Sequence, residues 1–276
     1  MNVIGWGARR KKMIHGDKDM APWNPFPHAG AYAFDASSLT ANWSRLHLGD
    51  CEPLPDNAAV LQAWVLLHNG RFHDAAKAGL NAGAGGITVV NKATYTYAHY
   101  LESKEKIKLD LFLEVAERAE AQQKTDPKNA NAWYWQACAL SHYSQGISVA
   151  KGLAQGVGAT VKAALEQAIS LSPRHADARI ALAAFHAEAI DKVGSLIGSM
   201  TFGARKDTGL ALFQEALALN PGSAIAMTQY ASGLLKLEGD KRLKDATRLY
   251  RQAAAFEALD AMERLEVDMA QLELQD

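Results

Sequence analysis

Residues 213–221 read Phe-Gln-Glu-Ala-Leu-Ala-Leu-Asn-Pro, and their reading decides the fold. Proline forces the residue before it out of the helical region, so an apolar, Ala-rich run closed by Asn-Pro is the end of a helix. The same ending stands at residues 165–173 (Leu-Glu-Gln-Ala-Ile-Ser-Leu-Ser-Pro), and its last step again at Lys124-Thr-Asp-Pro127. The three prolines lie 46 and 48 residues apart (127 to 173, then 173 to 221), and each precedes a short polar link and another Ala-rich segment. A repeat of that period predicts helical hairpins stacked on one another, each covering its neighbour's apolar face.

Outward from this repeat, the text from Asn57 onward is helix after helix, with Gly and Pro mainly at the breaks. Residues 1–36 differ. They set Pro22, Pro25 and Pro27 among Trp23, Phe26, Tyr32 and Phe34 without helical period, an extended leader that is either loose or strapped across the body by its aromatics. Ser37 or Ser38 is expected to cap a short helix running to about His47, stopped by Gly49-Asp50, Pro53 and Pro55. Residues 37–276 then form a single repeat domain of about five hairpins. The alternating stretch Asp260–Gln275 serves as its polar-faced terminal helix.

The repeat resembles the tetratricopeptide (TPR) family, whose unit of ~34 residues runs W-x2-L-G-x2-Y, A-x3-F, P. Phe213 and Ala216 before Pro221, and Leu165 and Ala168 before Pro173, occupy its aromatic-or-Leu and second-Ala positions. Trp133 takes its Trp position, Leu182-Ala183 its Leu-Gly pair, and Gly70-Arg-Phe72-His-Asp-Ala75 its inter-helix turn. Ala246, Tyr250 and Ala253 match the second helix once more. The match spans roughly residues 56–258 and departs in two ways. Gln136 stands where Leu is expected, and the units are lengthened by apolar, Gly-rich stretches at 144–161 and 191–209. Those stretches are longer helices or loops over one rim. Their GxxxG pairs, Gly152/Gly156 and Gly194/Gly198, predict close backbone packing rather than a membrane dimer, because Lys151 and Asp191-Lys192 flank them. The likeness implies an all-α solenoid of TPR-like antiparallel hairpins.

Composition narrows the function. A net charge of −1 gives no general attraction to nucleic acid or an anionic membrane, and the run Arg9-Arg10-Lys11-Lys12 reads as a solvated tail. Two distant cysteines, Cys51 and Cys138, make no disulfide framework, and Met1–Gly7 puts charge after the apolar residues rather than before them, so a cytoplasmic protein without an export signal is expected. No stretch reaches the ~20 apolar residues of a membrane span. Chemistry finds no anchor, and neither enzyme activity nor a cofactor is expected. Gly152–Thr160 lacks the Lys of a phosphate loop, and Asn81–Gly86 follows no strand. No zinc spacing or G-x-S-x-G occurs. Cys138 and His142 share a helical face, but nothing supplies an orienting group or an oxyanion hole, and a buried structural cysteine is the better reading.

The TPR resemblance implies instead a concave groove lined by the first helix of each unit. Registering on Trp133 puts Asn131, Tyr134, Cys138, Ser141 and His142 there, and the Gly70–Ala75 turn puts Asn57, Val60, Trp64, Leu67 and His68 there. The second hairpin lacks an anchor; aligning His99 with the other histidines adds Asn91, Tyr95 and Ala98. Later units add Asp177 and Glu188, then Thr228, Ser232 and Lys236. Aromatics supply area and the polar groups fix orientation, a lining suited to a protein or peptide partner. Set against this, histidines on amphipathic helices are commonly half-buried packing residues, and Glu188–Lys192 fits a plain i,i+4 pair. Lys192–Arg205 (KVGSLIGSMTFGAR) carries a second, fainter resemblance, to the T-component of tripartite (TRAP) transporters, which implies a small-ligand-binding helical protein; the export signal of such a role is missing. The chain also resembles a bacterial TPR-like group, a likeness that fixes no function.

Overall fold

Hairpin follows hairpin in the computed structural model, which describes residues 23–275; the first 22 residues of the leader and its basic run lie outside them. The helices are α1 (Ala36–Leu46), α2 (Ala58–His68), α3 (Phe72–Asn81), α4 (Ile87–Thr96), α5 (Glu105–Thr125), α6 (Ala130–Gln145), α7 (Val149–Ala154), α8 (Val157–Leu171), α9 (Ala176–Phe202), α10 (Lys206–Leu219), α11 (Ala224–Glu238), α12 (Leu243–Ala254) and α13 (Ala261–Leu272). No strand occurs among the described residues, and the fold is an all-α, TPR-like solenoid. The paired helices are α2/α3, α4/α5, α6/α8, α9/α10 and α11/α12. Three helices, α5, α8 and α10, stop two residues before Pro127, Pro173 and Pro221. Side chains of Asn57, Asn129, His175, Ser223 and Asp260 take up the free amides that open α2, α6, α9, α11 and α13. At α1 the cap is Asp35 rather than a serine. Its carboxylate accepts from the Ser38 amide while the Ser38 hydroxyl accepts from the Asp35 amide, a reciprocal box that Ser37 cannot make.

The lengthened units resolve into helix. The first Gly-rich stretch forms α7, a short helix between α6 and α8; the second carries α9 on to Phe202 through a break at Gly194 (φ 79°, ψ 159°). The expected close packing at the GxxxG pairs is found only at Gly198, where an added Cβ would stand 3.3 Å from the Ala189 carbonyl oxygen. Gly156 and Gly194 have open space around them and serve a different need, a positive φ that reverses the chain.

The solenoid closes on itself. Helix α13 packs on α11 and α12 and also meets α2, and the Thr96 hydroxyl of α4 points to the Met262 sulfur at 3.8 Å. Residues 23–35 run along this seam without helix. Trp23 stacks on Tyr97 (4.4 Å), Phe26 packs edge-on against Phe72 (6.1 Å), and Asn69 exchanges hydrogen bonds with the Phe34 backbone (2.7 and 2.9 Å). On the other side His28 meets Asp268 of α13 at 2.7 Å.

Candidate functional site

The first helices of the hairpins α2/α3, α4/α5, α6/α8 and α9/α10 share one neighbour, a segment of the chain itself. It is the loop after α1, residues 47–52, which touches α2, α4, α6 and α9. Gly49 accepts from the Asp177 amide (3.1 Å) and has no room for a side chain, since a Cβ would lie 2.3 Å from Asp177 Oδ1. Cys51 takes a left-handed φ of 51°, strain held by a bond from its amide to the His47 carbonyl (2.9 Å) on one side and by Trp43 Nε1 donating to the Glu52 carbonyl (2.8 Å) on the other.

A chain of buried charged groups fixes this loop. Asp50 accepts from Lys92 Nζ at 2.7 Å and from His47 Nδ1 at 2.9 Å; His47 and His68 face each other Nε2 to Nε2 at 3.2 Å; His68 Nδ1 meets Asp260 at 2.6 Å. Each imidazole thus turns its Nδ1 to a carboxylate and its Nε2 to the other ring, which ties Asp50 to Asp260 through the two histidines. Asp50 sits well below the usual carboxylate range although burial opposes this, because Lys92 and His47 hold its charge; Asp260 is lowered against the same burial by His68. Burial pushes His47 down to about 4.

Trp64 and His68, two of the groove residues expected from the repeat, lie inside this buried network, with Lys92 over the Trp64 ring at 5.6 Å. Asn131 is there too. Its Nδ2 donates to the Asp50 carbonyl (3.1 Å) and to Glu52 (2.6 Å), and its Oδ1 accepts from His175 Nε2 (3.0 Å). Asn91 faces the other way, accepting from Arg118 of α5 at 3.1 Å, and it is Lys92, one residue on, that points inward.

Beyond the loop the structure brings together Tyr95, His99, Tyr134, Cys138 and His142. Tyr95 lies 5.7 Å from His99 and 5.4 Å from His142, and the two imidazoles are 4.3 Å apart. Burial pushes His142 down to about 4 and His99 well below its ordinary value, so both rings are neutral at pH 7. Burial also drives the Cys138 thiol up to about 12, with Tyr134 beside it. A neutral thiol near a neutral imidazole is the reverse of an activated thiolate–imidazolium couple. At the far end Glu188 of α9 pairs with Lys236 of α11 and, at 3.8 Å, with Lys192.

Glu188 and Lys192 also line a second feature, an apolar cavity of about 120 Å³ bounded by Leu153, Val157, Phe185 and Phe202. The surface nearby exposes large apolar side chains: Leu153, Ile197, Leu196 at 75 % and Met200 at 81 %. Exposed apolar side chains gathered beside a cavity are characteristic of interaction surfaces.

No protein-family model matches the chain, and no curated protein is similar to it in sequence. Among solved structures it is similar to a thermophilic TPR protein of Thermus thermophilus, with a TM-score of 0.54 and 18 % sequence identity over 78 % of this chain and 97 % of that one. At that identity the likeness shows the fold, a TPR-like helical repeat, and lends nothing to the transporter-component reading. No helix among the described residues is long and apolar enough to cross a membrane.

The buried acids give the interior a pH signature. Burial raises Glu52 to about 8 and Asp177 to about 7, against 4.5 and 3.8 for the free groups, so the native state holds protons that the unfolded chain has released. Stability therefore falls as pH rises through that window. His47, His142 and His175, each near 4 against 6.5 when free, act oppositely, but only below 6.5. The two sets oppose each other under pH 6.5, and the carboxyls act alone above it. The urea midpoint is expected to drop between pH 6.5 and 8, and Glu52→Gln to flatten the drop; a midpoint that rises across this interval would contradict the assignment.

Proposed function

We propose that the protein is a non-enzymatic interaction scaffold that holds a segment of a partner protein along Tyr95, His99, Tyr134, His142, Glu188 and Lys236. The observation that supports this reading is the place of Glu188. It acts on His142 of the ring cluster, pairs with Lys236, and is also a wall of the apolar cavity, with Leu196, Ile197 and Met200 exposed on the same helix α9. A segment laid across the cluster and the cavity meets neutral aromatic and imidazole faces, then an ion pair able to bond its backbone, then a cavity of about 120 Å³ for one apolar anchor. Both cysteines are free, which supports a reducing, cytoplasmic setting.

Selection of peptides from a displayed random library, followed by fluorescence anisotropy with the selected sequence, tests the proposal. Winners are expected to carry an aliphatic or aromatic anchor, and Tyr134→Ala combined with His142→Ala is expected to weaken them at least tenfold. Met200→Ser with Leu196→Ser is expected to weaken them with no loss of Tm, both side chains being mostly exposed. Equal affinity for the wild type and for both double variants would defeat the reading.

A further inference from the structure

A polar cavity of about 40 Å³ lies where the end of α1, the inserted loop, α4, α9, the α10–α11 turn and α13 converge, with Arg45, Lys92, Asp177, Asp260, Glu263 and Glu266 as the charged groups of its wall and Asn220 and Ser223 beside them. The charges there can be paired one by one. Lys92 is taken by Asp50 (2.7 Å), Arg45 by Glu263 (2.5 Å) and His68 by Asp260 (2.6 Å). Two carboxyls remain, Asp177 and Glu266. Among the described residues neither carboxyl has a hydrogen-bond donor or a paired cation, and what acts on them is burial and the charge of their neighbours. Glu266 is only 6 % exposed and lines the cavity.

A buried carboxyl without a partner costs stability and contributes none. Gln or Leu would fill position 266 of α13 at lower cost, so the arrangement suits a site whose counter-charge arrives from outside. We propose that the central cavity binds a primary ammonium group between the carboxylates of Asp177 and Glu266. The size fits: by the ~10–15 Å³ that one water-sized group requires, the space takes an ammonium and the first carbon or two behind it. The chemistry fits as well, since an ammonium offers three donors to acceptors on opposite walls. A divalent ion is disfavoured, because among the described residues no three His, Cys, Asp or Glu side chains converge as ligands. The mouth is marked by Arg45, which is 40 % exposed over Glu263. Burial raises Glu266 well above the ordinary carboxyl range and Asp177 to about 7, with Asp177, Glu263, Asp260 and Asp50 adding like charge and Lys92 opposing. Tyr95 and Tyr100 face Glu266 from α4 and the turn after it. Binding a cation discharges this strain and releases protons to solvent. The ligand is a free alkylamine or the lysine side chain of a peptide. The proposal rests on the Asp177–Glu266 pair and not on the partner groove, with which it shares Tyr95 as a neighbour.

Thermal shift and calorimetric titration with n-butylamine, Nα-acetyl-lysine amide and tetramethylammonium test it. Butylamine or the lysine derivative is expected to raise Tm saturably, and tetramethylammonium, which has no N–H, to leave it unchanged. Tighter binding of the lysine derivative assigns the site to a peptide, tighter binding of butylamine to a free amine. Glu266→Gln is expected to raise Tm without ligand, by removing the unpartnered acid, and to weaken amine binding at least tenfold; Asp177→Asn gives the same second reading should the first variant fold poorly. No saturable response to either amine, an equal response to tetramethylammonium, or undiminished binding by the variants would overturn the proposal.

Discussion

Asp50→Ala is expected to cost about 3–5 kcal/mol, the range for removing one member of a buried ion pair, and to lower Tm by roughly 10 °C. The size follows from what would be left behind. Lys92 is 5 % exposed, and the carboxylate at 2.7 Å is its ion-pair partner in the structure. Without it, an ammonium would sit buried against the Trp64 ring, and His47 would lose the acceptor at its Nδ1. Asp50→Asn keeps part of the hydrogen bonding but not the charge, and should fall between alanine and wild type. The double change Asp50→Ala with Lys92→Met should recover much of the loss, because a matched apolar replacement removes the uncompensated charge. The loop 47–52 is anchored chiefly through this residue, so trypsin should cleave after Arg45 in the single variant at denaturant concentrations where the wild type resists. Urea unfolding of the four proteins measures the energies. A loss below about 1 kcal/mol, the scale of an exposed pair, would mean that the network does not hold the loop.

The sequence carried the repeat because the repeat is periodic. Pro127, Pro173 and Pro221 stop helices through local sterics alone, and Leu165, Ala168, Phe213 and Ala216 are all buried core residues, as the spacing requires. What was not legible is what breaks the period. The inserted loop His47–Glu52 reads as an ordinary Gly-Asp helix stop, since nothing in so short a stretch says that the chain turns inward. The contact of His68 with Asp260 spans 192 residues, and no local pattern encodes it. Glu266 sits in an alternation of charged and apolar residues that reads as a solvent-facing terminal helix, yet α13 is buried through it because the solenoid closes. Asn91 and Lys92 show how little separates two registers. Neighbouring residues of a helix point about 100° apart, and in a hairpin without its own anchor a count back from His99 lands on Asn91, which faces Arg118, rather than on Lys92.

Phe213→Ala is expected to be as damaging as the loss of Asp50, for an unrelated reason. The ring is buried at the junction of α9, α10 and α11, stacked on Tyr230 at 5.2 Å, and truncating a core phenylalanine costs about 3–5 kcal/mol in transfer and cavity terms. Its position depends on Gly233 of α11, where an added Cβ would stand 2.3 Å from Phe213 Cε2 and 2.7 Å from Cζ. Gly233→Ala brings up to ~1 kcal/mol of helix propensity but must displace a ring held on every side, and overpacking of that kind costs about 1–3 kcal/mol. The net effect should be a loss of roughly 1–2 kcal/mol. Combining the two small changes, Phe213→Leu with Gly233→Ala, lets the new methyl occupy space the ring vacates. The pair should be less destabilised than the sum of the single changes by at least about 1 kcal/mol, the coupling expected of residues in direct contact. Simple additivity in denaturant unfolding would show that the ring does not rest on the glycine. The register of α10 against α11, which sets how the last two hairpins stack and so where Lys236 meets Glu188, would then need another source.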